Sequence, residues 1–135
     1  MLKFILFLFV LLYASIYDLK HLTVPTHVHI CLFLVGLINV NLYSLIGWCI
    51  AFIPLFLATL FMGGIGGGDI KLAGMCGWVM QGLGGLLGTI IGFILAILIM
   101  PIIRKLKKQS KQTPFALVPY ISIGCLLLIT LGGQL

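Results

Sequence analysis

The chain has 135 residues, of which 62% are hydrophobic and 7% charged, with eight Lys or Arg against two Asp or Glu and a formal net charge of +6. Soluble domains carry about 45–50% apolar and about 25% charged residues, so a water-bathed globule is excluded and a lipid bilayer is the expected surroundings. Five of the eight cations fall within 104–111, which makes the basic excess a local topology signal and not the spread basic face of a nucleic-acid-binding protein.

Polar and turn-forming residues divide the sequence into six apolar segments, at 4–17, 28–40, 43–62, 70–80, 83–103 and 115–131. A span needs about 20 residues, so the longer segments suffice and the shorter ones must draw on their flanks. The expected fold class is all-α, a polytopic membrane helical bundle of six transmembrane helices, with residues 1–135 as a single domain and no soluble domain. Lys3 followed by an apolar run has the form of a signal peptide, but no small-x-small cleavage site follows it cleanly, and the segment is read as a retained first span.

The first break, 18–27, carries Asp18 and the histidines His21 and His27, with His29 just beyond. His27 and His29 invite a metal-site reading, but a spacing of two is not helical-face spacing and only Asp18 adjoins as a ligand, so no metal is expected. The third break, 63–69, ends in Gly66-Gly67-Gly68-Asp69, where consecutive glycines permit close backbone approach and conformations closed to other residues. A glycine loop before a helix also has the form of a phosphate site, yet no preceding strand and no Gly-Lys-Ser/Thr accompany it. The break at 81–82 is the least polar, and five spans result if it fails to separate its neighbours. Glycines between 82 and 92 suit close helix packing in lipid. Trp48 and Trp78 read as interface anchors, and Cys31, Cys49, Cys76 and Cys125 as isolated inert thiols.

With six spans, the loops after the first, third and fifth share one side and collect seven of the eight cations, leaving Lys3 opposite. Positively charged loops stay in the cytoplasm, so these three are expected there, in a multi-pass plasma-membrane protein. The basic cluster also suits anionic lipid head groups.

Asp18 and Asp69 are the only acidic side chains, and two complete spans separate them, so they lie on the same membrane face in either orientation. Ionisable groups at membrane depth are costly and mark function or a partner. Pairs with Lys20 and Lys71 are the plain alternative, but a spacing of two places each pair on different helical faces. Two carboxylates meeting at the bilayer edge resist joint ionisation and hold one proton between them. One can then take a proton from water while the other polarises a carbonyl, which is aspartyl-protease chemistry without metal or organic cofactor.

Gly66-Gly67-Gly68-Asp69-Ile70-Lys71-Leu72 resembles the second signature of the type IV prepilin leader peptidase family, membrane aspartyl proteases of the Gly-x-Gly-Asp type. Asp18-Leu19-Lys20-His21-Leu22-Thr23-Val24-Pro25 is similar to its first motif, and Thr113-Pro114-Phe115-Ala116-Leu117-Val118-Pro119 to its Pro-Phe-Ala-Pro-type segment. Thr26 stands where the family commonly has Asn, and Pro119 lies farther from Phe115 than in the family pattern.

The resemblance implies a peptidase-only form without a methyltransferase region, cutting prepilin-like substrates at the cytoplasmic face just before their hydrophobic helix. It implies catalytic Asp18 and Asp69, with Gly66, Gly67, Gly68, Lys71, Pro25, Pro114 and Phe115 as substrate-binding or loop-supporting residues. A reading of a different class is a small ion-coupled transporter or channel using both Asps as proton or cation sites. A signal-peptide-peptidase-like enzyme and a non-enzymatic assembly factor are further alternatives.

Overall fold

The computed structural model describes residues 1–63, 66–108 and 115–131, and all the regular structure among them is helical. In chain order the helices are α1 (Leu2–His21), α2 (Thr26–Gly36, continued by a 3-10 turn at Leu37–Asn39), α3 (Leu42–Met62), α4 (Gly67–Met80), α5 (Gly84–Leu106) and α6 (Val118–Thr130). Each corresponds to one apolar segment. The least polar break is a real one, because Gln81 and Gly82 both take positive φ, 61° and 54°, and part α4 from α5.

Three helices, α1, α3 and α5, are long and apolar enough to cross a membrane. Two boundaries differ from the hydropathy pattern. α1 does not stop at residue 17: it absorbs Asp18 through His21 and ends where Leu22 turns left-handed (φ 55°) and returns its N–H to the Asp18 carbonyl at 2.7 Å. α6 does not begin at Phe115: residues 115–117 stay outside it, and Pro119 sits in its first turn, where the missing N–H is not needed.

In lipid there is no hydrophobic force between helices, so association depends on close packing of small residues. α4 lies against α2, α3 and α5, with Leu72, Ala73, Cys76 and Val79 fully buried. A Cβ on Gly77 would strike the Gly47 carbonyl of α3, and one on Gly85 would strike the Gly77 backbone. Across α5 and α6, a Cβ on Gly124 would strike the Gly88 carbonyl, while Gly92 lies against the Ile121 backbone. The glycines between 82 and 92 thus do pack helices together. Trp78 fills the notch left by Gly36 and stacks on Phe33 at 5.5 Å, so it joins α4 to α2. Trp48 stacks on Phe52 at 4.9 Å beside Gly74, joining α3 to α4.

Candidate active site

The buried residues Phe7, Leu11, Ala14 and Asp18 follow one another at helical spacing along the inner stripe of α1. Asp18 is therefore placed by the same periodicity that places the core, and it is 3% exposed. Its Oδ2 accepts the backbone N–H of Val118 at 3.1 Å. Val118 opens α6, whose first N–H groups have no partner within the helix and present the positive end of its dipole. The carboxylate of α1 is thus the cap of α6.

Asp69 is half-buried in the first turn of α4, where the helix dipole also favours a negative side chain. Burial, and after it the charge of Asp18, pushes its carboxyl up to about 6. Asp18 is near enough for its charge to reach Asp69, and the segment that follows α1 lies against the start of α4. In that contact a Cβ on Gly68 would lie 3.4 Å from the Val24 side chain.

The glycine triplet works differently from its sequence-based expectation. Gly66 has an ordinary extended backbone (φ −64°, ψ 137°), and Gly67 and Gly68 are helical. What Gly66 supplies is room, since a Cβ there would stand 3.1 Å from Asp69 Oδ2. Among the described residues, a Cβ on Gly67 would meet nothing within 4 Å.

Pro25 precedes α2 with φ −72° and ψ 149°, and its carbonyl accepts the Val28 N–H at 3.1 Å. Lys20 and Lys71 are exposed, and among the described residues neither forms an ion pair with its neighbouring aspartate. Phe115 is exposed and lies under the Arg104 guanidinium, 5.4 Å from ring centroid to Cζ. Pro114 and Lys111 lie outside the described residues.

The histidines part company. His21 stacks on Tyr17 at 4.3 Å, and His27 Nε2 bonds the Tyr13 hydroxyl at 3.0 Å. His29 instead bridges two backbone carbonyls, Pro25 through Nδ1 and Gly68 through Nε2, both at 3.2 Å. Neither this bridge nor the Val118 N–H was anticipated from sequence, and neither leaves a side-chain signature, because the partners are main-chain atoms.

Two concavities flank these elements. A cavity of about 740 Å³ lies at the other end of α1 and α4, lined by Lys3, Tyr43 and Gln81 among others, away from both aspartates. A groove between α1 and α6, lined by Leu8, Leu12, Ser15, Pro119, Ser122 and Ile123 among others, is almost wholly apolar. Its polar seam is the Ser15–Ser122 hydroxyl pair at 2.8 Å. Ser15 precedes Asp18 by one turn and Pro119 follows Val118, so the lining of the groove comes within one turn of Asp18 without including it.

The sequence matches the type IV leader peptidase family over residues 5–103, a stretch that includes both aspartates and the glycine triplet. Searches of curated proteins and of solved structures return no match.

Proposed function

The chain belongs to the type IV leader peptidase family, and from that premise we propose that it is a membrane aspartic endopeptidase which removes the leader of prepilin-like proteins at the cytoplasmic membrane face. The observation that carries this reading is the convergence of the sequence's only two carboxylates, with the charge of Asp18 helping to raise Asp69 to about 6. Residues 1–135 are read as a single peptidase domain.

Asp18 accepts the α6 N–H and faces the positive end of that helix, an environment complementary to a carboxylate. Asp69, whose carboxyl is pushed up to about 6 by burial and then by its neighbour, is the complementary acid. A water between them gives its proton to Asp18 as its oxygen attacks the scissile carbonyl, and Asp69 donates its proton to the carbonyl oxygen. Collapse of the tetrahedral species returns a proton to the departing amine and breaks the C–N bond. The pair titrates as a unit, so these roles describe the dominant protonation pattern.

The apolar groove between α1 and α6 suits the hydrophobic helix that follows the cleavage point, since its lining ends one turn of α1 before Asp18. Asp69 in the first turn of α4 favours peptide access over an ion path through the bundle centre. The test is mass spectrometry of a prepilin-like substrate incubated with the purified protein in detergent. One cut immediately ahead of the substrate's hydrophobic helix is expected; a cut within that helix, or none, contradicts the reading.

A further inference from the structure

We propose that His29 is the positioning residue of this site, tying the segment after Asp18 to the segment bearing Asp69; the kinetic part of this inference rests on the peptidase reading above. His29 is half-buried in the first turns of α2, and its ring spans the Pro25 carbonyl and the Gly68 carbonyl at 3.2 Å each. Pro25 closes the connection that begins at the end of α1, and Gly68 immediately precedes Asp69. One side chain thus links the backbone on both sides of the site.

A carbonyl oxygen has two lone pairs, so Gly68 can accept the imidazole in addition to a helical bond. Both acceptors are carbonyls and neither can donate. The two bonds therefore coexist only when both ring nitrogens carry protons, that is, in the imidazolium; the neutral ring keeps one of them. The tether is complete in the charged form and half-made in the neutral form. The charged or titratable groups at this end of the elements packed on α2 are Tyr13, Tyr17, Asp18, Lys20 and His21 of α1 and Asp69 and Lys71 of α4, with His27 on α2 itself.

The experiment compares native protein with His29→Phe, which keeps a ring without donors, and His29→Arg, whose planar fork offers several donors at any working pH. Hydrogen exchange reads the amides of Asp69 and Ile70, which bond to the Gly66 carbonyl at 3.0 and 3.3 Å. In His29→Phe these amides are expected to exchange about tenfold faster, the scale of one lost hydrogen bond or slightly more, while amides in α5 and α6 keep their native rates. His29→Arg is expected to restore protection. In leader cleavage, His29→Phe is expected to lower kcat about tenfold with KM within about twofold, and His29→Arg to recover most of the loss.

Native exchange at Asp69 and Ile70 in His29→Phe overturns the proposal, whatever the activity. So does a rise in KM with kcat unchanged, or equal loss in the Phe and Arg variants. If native protein cleaves no leader while the exchange results hold, the peptidase reading fails and the tether stands.

Discussion

Asp18 of α1 and Val118 of α6 are joined by a hydrogen bond of 3.1 Å between residues 100 positions apart, a carboxylate in one helix capping another. The bond fixes where the first aspartate points, and it places the start of α6 beside the end of α1. Three consequences concern the chemistry at this junction and the packing that holds it.

The first concerns pH. Asp69 is raised to about 6 by burial and then by the Asp18 charge, so it keeps its proton up to that pH and loses it above. If that proton is the one delivered to the substrate carbonyl, kcat/KM falls as pH rises through about 6. Replacing Asp18 by Asn removes the like charge and leaves the burial, so the Asp69 titration, followed by carboxyl infrared absorption, is expected to move down without returning fully to the usual carboxylate range.

Gly66 and Gly67 are adjacent and chemically identical, yet they predict different outcomes. Gly66→Ala sets a methyl 3.1 Å from Asp69 Oδ2, tighter than an ordinary contact, and displaces the carboxylate by a few tenths of an ångström. Leader cleavage is expected to fall about tenfold or more with helical content unchanged, in keeping with the cost of small misplacements in active sites. Gly67→Ala meets no described residue within 4 Å and is expected to cleave at the native rate within about twofold.

Much of this was legible in the sequence, for reasons specific to particular residues. The six apolar segments became six helices because apolar runs and turn-forming breaks bound membrane helices directly, and even the break at Gln81 and Gly82 held. The motif around Gly66 and Asp69 pointed to the family. Other features lay beyond that reading. Hydropathy placed the end of the first segment at residue 17, but Asp18 continues the buried stripe of Leu11 and Ala14 and prolongs α1 to His21. The glycine triplet suggested unusual backbone angles, whereas Gly66 provides space for a carboxylate. The contacts that organise the site, from the Val118 N–H to Asp18 and from His29 to Gly68, run through backbone atoms that every residue possesses.

The helix contacts make a prediction independent of catalysis. A Cβ on Gly77 would collide with the Gly47 carbonyl and stand 2.8 Å from the Ala51 Cβ, so α3 and α4 must separate to admit it. Gly77→Ala is expected to cost about 1–3 kcal/mol, the range for overpacking a closed interface. A denaturant melt in detergent reads this as a lower midpoint, and an unchanged midpoint would show that the interface is looser than its backbone contacts indicate.

The central claim is that the two aspartates perform the reaction together, and the most direct measurement is the gel mobility of a prepilin-like substrate. It is co-expressed with the native protein, with Asp18→Asn or with Asp69→Asn, at matched membrane levels. The account predicts a leader-sized shift with the native protein and a loss of about a hundredfold or more in cleavage rate with either substitution, the scale of removing an acid–base group. A shift that survives either substitution at near-native rate would contradict it.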